Sequence, residues 1–201
     1  MKIILIRHFP TNGNEKRKYI GRTDEPLSER VLERELHRIH DRPKVQRIVT
    51  SPLKRCVQTA KLIWPEYLEE FHIDPLLREC DFGLFEGKSY EELKEVPEYV
   101  KWLESGGMIP FPGGESPEEF RNRCVEGFKY EIQLCIKEKV ESVAFVVHGG
   151  TIMSVLERFS EEKKSFYNWQ VDNGCGFVGQ IDEDEWVNKK EVIRNVRKMV
   201  C

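Results

Sequence analysis

Two short apolar runs constrain this chain most, because each of them ends in a histidine. Lys2 to Ile6 (KIILI) leads into Arg7-His8, and the run SVAFVV, with Val143 to Val147 as its apolar body, leads into His148-Gly149-Gly150. Nearly continuous aliphatic and β-branched runs of this length read as strands covered by helices on both faces. In an open α/β sheet, ligands collect beyond the carboxyl ends of parallel strands, so the two imidazoles are expected to meet across one crevice. A single histidine reads more simply as structural. Two at one sheet edge, one beside arginine and one before Gly-Gly, point to a site.

The rest of the chain alternates in the same style. Ser28 to His40 places Val31, Leu32, Leu36 and Ile39 at helical spacing, with Ser28 as cap and Pro43 as stop. Arg47 to Thr50 reads as a second strand, followed by a helix that begins at Ser51-Pro52 and ends before Pro65. Leu76 to Cys80 reads as either a third strand or an extended segment of the site. Two short helices are expected around Pro97 between Ser89 and Ser105, then a loop from Gly106 to Gly114. Ser116 caps a long amphipathic helix with Phe120, Cys124, Phe128, Ile132 and Cys135 on its apolar stripe. Gly149-Gly150 opens another helix through Phe159. The tail, Gly176 to Ile181 and Trp186 to Val196, reads as an antiparallel pair around an acidic turn, Asp182 to Glu185.

This alternation predicts an α/β fold: a three-layer α/β/α sandwich with a mostly parallel mixed sheet and a small helical cap insertion at about 81–115, all in one domain over 1–201. The 201 residues are enough for one compact domain, and 39% apolar content supplies its core. A net charge of −3 gives no general field for polyanions, so nucleic acid is not expected as a partner. No apolar run approaches the roughly 18 residues of a spanning helix, and the initial one is shorter than a signal-peptide core. No membrane partner and a cytoplasmic location are therefore expected. Six cysteines without a C-x-x-C pair read as reduced, mostly buried thiols. Oligomeric state is not readable.

Arg55 adds a second clue. It falls in the first turn of its helix, where the dipole is positive and a cation is mildly unfavourable. An anion held by Arg7, Arg55 and backbone N–H groups would compensate, since guanidinium forks match phosphate oxygens. The competing reading is an ion pair with a surface carboxylate. For Glu79 the competing reading is an ion pair with Arg78. The basic run Lys16-Arg17-Lys18 with Arg22 either reads a second anionic group or is a solvated rim.

Five blocks in order, Arg7-His8 with Thr11 and Asn14, Ser51-Pro52-Leu53-x-Arg55-x-x-x-Thr59-Ala60, Glu79-x-x-Phe82-Gly83-x-x-Glu86-Gly87, Gly114-Glu115-Ser116 and His148-Gly149-Gly150, resemble the histidine phosphatase (phosphoglycerate mutase-like) superfamily. The resemblance spans nearly the whole chain. It implies a phosphatase acting on a small phosphorylated metabolite, with His8 attacking the phosphoryl group and Glu79 protonating the leaving oxygen. Arg7, Arg55 and His148 would stabilise the phosphoryl oxygens, and Thr11, Asn14, Gly21 and Gly149 would be substrate contacts. No metal and no other cofactor are expected; clustered arginines would repel a cation, and no H-x-x-x-H or C-x-x-C core is present.

Within the superfamily, the compact length and Pro112-Gly113-Gly114-Glu115-Ser116 resemble the α-ribazole phosphatase branch, which removes the 5′-phosphate of a cobalamin precursor. Mutases of the family carry longer basic insertions after the glutamate block, whereas Lys88 to Met108 is short and net acidic. A phosphoglycerate mutase, a sugar (bis)phosphate phosphatase and a non-catalytic phosphate-ester binder remain the alternatives. Two departures stand out: Phe9-Pro10 where the family usually has Gly after Arg-His, and Arg30-Val31 where a second Gly is usual. Other phosphate motifs fail. Gly83-x-x-x-Gly87-Lys88-Ser89 is one residue short of a P-loop, and no cysteine has arginine six positions later.

Overall fold

A computed structural model describes residues 1–31, 43–67 and 71–199. Six strands form one sheet in the order β3-β2-β4-β1-β5-β6. β1 (Lys2–Arg7), β2 (Arg47–Thr50), β3 (His72–Ile73) and β4 (Ser142–Val147) run parallel, while β5 (Gly176–Ile181) and β6 (Ile193–Lys198) run antiparallel at one edge. The helices are α1 (Asn12–Glu15), α2 (Lys54–Ile63), α3 (Tyr90–Leu93), α4 (Pro97–Glu104), α5 (Pro117–Lys137), α6 (Gly149–Phe159) and α7 (Glu183–Val187). The helix expected over Ser28 to His40 lies, beyond its first residues, outside the described residues.

Alternation along the central strands explains the layers. Ile3, Leu5, Val143, Phe145 and Val147 pack with α5 and α6 residues such as Phe128, Ile132, Ile152 and Phe159 on one face. Ile4, Ile6, Ala144 and Val146 pack with Cys56, Ala60 and Ile63 of α2 on the other. Strands with both faces buried have no polar face, which is why they read as unbroken apolar runs. A third cluster, Cys80, Phe85, Leu93, Tyr99, Phe111, Phe120 and Cys124, joins the helical insertion to the start of α5. That helix starts as expected: Ser116 forms a reciprocal capping box with Glu119, with Pro117 at its first position.

Four expectations change. Leu76 to Cys80 is not a strand: Asp74 accepts from the Leu76 amide at 2.8 Å and Pro75 fixes a 3-10 turn over Pro75–Leu77, after which the chain is irregular. The third strand is the two-residue β3 just before it. α2 begins at Lys54 rather than Ser51, because the Ser51 amide still bonds to Val146 O of β4. The tail contains α7 where a turn and strand were expected; Asp182 caps it, and Glu183, Asp184 and Glu185 suit the positive end of its dipole. Finally, Cys56, Cys80, Cys124 and Cys135 are free and buried, but Cys175 is disulfide-bonded.

Glu131 of α5 is buried at 1% exposure and meets His72 Nδ1 at 2.7 Å, tying that helix to the β3 edge. Removal from water raises the Glu131 pKa, against the opposing pull of His72. A carboxyl raised on folding contributes stability at low pH, and that contribution is lost as pH rises through the folded value. Glu131→Gln should therefore raise the urea midpoint relative to the parent on the alkaline side of that titration and leave it nearly unchanged on the acid side. Parallel midpoint–pH curves for the two proteins would contradict this.

Candidate active site

Register places the first pair of groups. β1 and β4 are neighbours with Arg7 opposite Val147, so the next residue of each strand, His8 and His148, leaves the sheet at the same rung. Their rings lie 5.2 Å apart, edge to face at 67°, and both are buried. His8 Nδ1 lies 2.6 Å from Phe9 O. A carbonyl only accepts, so Nδ1 carries the proton and Nε2 keeps its lone pair. Burial first, then the Arg55 and Arg7 charges, holds the His8 pKa well below the ordinary histidine value. The imidazole is neutral and its nucleophilic nitrogen is defined.

Phe9, the departure from glycine, is itself part of the core, and its amide donates to Thr59 Oγ1 at 2.9 Å. It anchors the backbone that carries the His8 acceptor. His148 is held by Ser51, whose Oγ lies 2.7 Å from Nε2. Burial and Arg55 also keep the His148 pKa well below the ordinary value.

Arg55 is fully buried. Its terminal nitrogens donate to Thr23 O and Gly21 O at 2.8 Å each, with Ile20 O at 3.4 Å, while Nε has no partner. Among the described residues no carboxylate forms an ion pair with it, and its full burial is at odds with the surface-pair reading. Glu86 holds the accepting loop by taking the Gly21 and Thr23 amides at 2.8 and 2.9 Å. Gly21 has no room for a side chain there, since a Cβ would fall 1.8 Å from Cys80 O. Arg7 donates to Val171 O at 2.7 Å; burial lowers its pKa while Glu79 and Asp172 oppose that shift.

Glu79 approaches the same centre from the irregular segment after β3. Its Oε1 accepts from the Cys80 amide at 3.0 Å. Desolvation raises its pKa, and the Cys80 amide, Arg55, Arg7 and the Gly150 amide partly offset the shift. A Cβ on Gly150 would lie 2.7 Å from Glu79 Oε1, which accounts for the glycine. Arg78 turns away to Pro75 O at 3.3 Å and makes no ion pair with Glu79.

The expected substrate contacts divide. Gly149 opens α6 and lines the cavity with Gly150. Thr11 instead caps α1: it accepts from the Asn14 amide at 3.2 Å and its hydroxyl donates to Glu25. Asn14 Oδ1 returns the bond to the Thr11 amide and also accepts from Asn173, which donates to His8 O as well. The Gly21 amide is taken by Glu86. Lys18 and Arg22 face Glu92 and Asp81 at 3.9 and 3.2 Å. Neither they nor Lys16 and Arg17 line the cavity.

That cavity holds about 560 Å³, with Arg7, Glu79, Gly149 and Gly150 at one side and Tyr19, Phe82, Trp102, Phe111, Phe166 and Tyr167 among its apolar lining. Trp102 stacks between Tyr99 and Phe111. Arg121, Gln170, Asp172 and Lys198 also line it, and none of them stood out in the sequence. Arg121 lies 4.1 Å over the Phe166 ring and 3.3 Å from Glu157. Their only advance signal would have been tertiary, because they come from α5 and the tail.

The profile of the histidine phosphatase superfamily (branch 1) matches residues 3–193. Phosphoserine phosphatase 1 of Hydrogenobacter thermophilus is 36% identical over 193 residues, covering 91% of this chain and 88% of that protein. Phosphoglycerate mutase-like protein 4 of Arabidopsis thaliana is 31% identical, covering 78% of this chain and 70% of that protein. The crystal structure of the α-ribazole phosphatase from Shigella flexneri superposes with a TM-score of 0.77 at 26% identity, covering 90% and 91% of the two chains.

A buried guanidinium without a counter-ion should be relieved by a tetrahedral anion. Inorganic phosphate at about 100 times its dissociation constant should stabilise the protein by about 2.7 kcal/mol. Arg55→Met should lower the phosphate-free melting temperature, because the Gly21, Thr23 and Ile20 carbonyls lose their donor, and should abolish the phosphate-induced increase above that lower baseline. A phosphate-induced shift that survives the substitution would place the anion elsewhere.

Proposed function

Because the chain belongs to the histidine phosphatase superfamily and is a phosphatase, we propose that it hydrolyses a small-molecule phosphate monoester through a phosphohistidine on His8. The observation that carries this reading is the neutral His8, its Nδ1 proton fixed by Phe9 O, beside two arginines that have no carboxylate ion pair among the described residues.

In the first step the Nε2 lone pair attacks phosphorus in line as the ester P–O bond breaks. Glu79, whose raised pKa favours the protonated form, gives its proton to the departing alcohol oxygen. Arg7, Arg55 and His148 stabilise the charge spread over the equatorial oxygens, the larger electrostatic contribution in a loose transition state. In the second step the Glu79 carboxylate takes a proton from water as water attacks phosphorus. The P–N bond breaks, orthophosphate leaves, and both groups return to their starting states.

The alcohol leaves toward a cavity whose lining combines aromatic side chains such as Tyr19, Phe82 and Trp102 with the polar Arg121, Asp172 and Lys198. A substrate whose alcohol carries an apolar, planar ring beside polar groups suits that lining, and α-ribazole 5′-phosphate, a cobalamin precursor, is our preferred candidate. The likeness to the Shigella flexneri enzyme supports the same choice. In this reading the chain works as one cytoplasmic domain, with the 81–115 insertion capping the cavity.

His8→Ala should eliminate turnover of p-nitrophenyl phosphate and remove the acid-labile, base-stable phosphoprotein that labelled substrate leaves in the parent. Glu79→Gln should slow an alkyl phosphate by about 10² to 10⁴-fold and p-nitrophenyl phosphate far less. With the parent, alkyl phosphate turnover should fall as pH rises through the Glu79 titration, whereas His8 loses its lone pair only well below the ordinary histidine pKa. Equal losses with both leaving groups would remove Glu79 from the role of acid. In a metabolite panel α-ribazole 5′-phosphate should give the highest kcat/KM; a higher value for phosphoserine, or isomerisation of 3-phosphoglycerate with a bisphosphate primer, would replace that choice.

A further inference from the structure

We propose that Arg123 positions the general acid, by tying the segment that carries Glu79 to the long helix α5. The proposal rests on the reading of Glu79 as proton donor. Arg78 to Phe82 forms neither helix nor strand, so no regular hydrogen-bond ladder sets where the Glu79 carboxyl sits. Its backbone is held from outside instead. Arg123 Nη1 donates to Leu76 O and to Arg78 O, both at 2.7 Å, and Nη2 donates to Glu79 O at 3.0 Å.

The same guanidinium grips Glu115 through Nε at 2.6 Å and Nη2 at 2.7 Å. Glu115 completes the frame: its amide donates to Asp81 O at 2.9 Å, and its Oε2 accepts from the Asp81 amide at 3.4 Å. An arginine has five N–H donors in a rigid fork, and here five acceptors meet them. Three are the backbone carbonyls of Leu76, Arg78 and Glu79, and two are the carboxylate oxygens of Glu115. Side chains at both ends are largely shielded, with 11% and 12% exposure, so water competes little for these bonds.

Arg123 does not line the cavity. It acts through the backbone, which makes it a positioning residue. Proton transfer demands a heavy-atom separation near 3 Å, and a displacement of about 1 Å can cost about 10²-fold in rate. Lysine keeps the charge but supplies only three donors from a point, so it cannot hold three carbonyls and a carboxylate together. Loss of the frame should therefore show in both steps that use Glu79, and the first of them, departure of the alcohol, is the one that depends on the leaving group.

The test compares Arg123→Lys with the parent on p-nitrophenyl phosphate, whose leaving group needs no proton, and on an alkyl phosphate, whose leaving group does. Arg123→Lys is expected to lower kcat/KM for the alkyl phosphate by about tenfold or more and for p-nitrophenyl phosphate by no more than about threefold, since kcat/KM reports only the chemistry through departure of the alcohol and leaves out the hydrolysis step the two esters share. Glu115→Gln, which weakens one arm of the fork at constant volume, should move the same ratio in the same direction by less; it carries the test if Arg123→Lys does not fold. An unchanged ratio in the folded variants, whether both rates fall together or neither does, overturns the proposal. Glu79→Gln is run beside them: if it changes the ratio and the frame variants do not, only the positioning role falls. If Glu79→Gln itself leaves the ratio unchanged, the acid assignment falls with it.

Discussion

The organising interaction is the burial of the Arg55 guanidinium with no carboxylate ion pair among the described residues. Removing such a charge from water is expensive, and the carbonyl dipoles of Ile20, Gly21 and Thr23 face it. Its positive charge acts on the imidazoles at the ends of β1 and β4. It keeps both imidazoles neutral, since burial and that charge act in the same direction on His8 and His148. It also opposes full protonation of Glu79 across the cavity. Burial and one cation thus act together on the two imidazoles, and the same cation opposes the effect of burial on Glu79.

Geometry at the nucleophile comes from the sheet. Parallel pairing between β1 and β4 fixes which residues emerge together, and a one-residue slip would turn every inward side chain of β1 to the opposite layer. With Ile3 and Leu5 committed to one core and Ile4 and Ile6 to the other, the register has little freedom. His8 inherits that rigidity. Phe9, buried two residues from the strand end, passes it to the carbonyl that selects the tautomer.

This explains what the sequence could reveal. β1, β2, β4, α5 and α6 were legible because their apolar periods and caps are local, and the His8–His148 meeting followed from strand direction alone. Elements whose signals are weak or tertiary were not. α7 has five residues, too few for a helical period to show, and β3 has two. Leu76 to Cys80 has the apolar content of a strand, but Asp74 and Pro75 impose a turn before any pairing can start. Thr11 belongs to a motif associated with the site, yet its hydroxyl is used by Asn14 and Glu25 to shape the loop. Cavity groups such as Arg121, Asp172 and Lys198 join the site only through packing of distant segments.

The two halves of the chemistry are therefore supported differently. His8 stands at the end of a doubly buried strand, where displacement would disturb both cores at once. Glu79 stands on an irregular segment whose place depends on contacts with α5 and on the aromatic cluster of the insertion. Changes to that insertion can reshape the cavity without moving His8 or Arg7, whereas Arg55 is coupled to it through Glu86, which holds the Gly21 and Thr23 amides. Such changes cannot leave Glu79 equally untouched, because Cys80, Phe85 and Phe111 share one apolar cluster beside it. The cavity lining and Glu79 are thus mechanically linked, whereas His8 is anchored separately in the sheet.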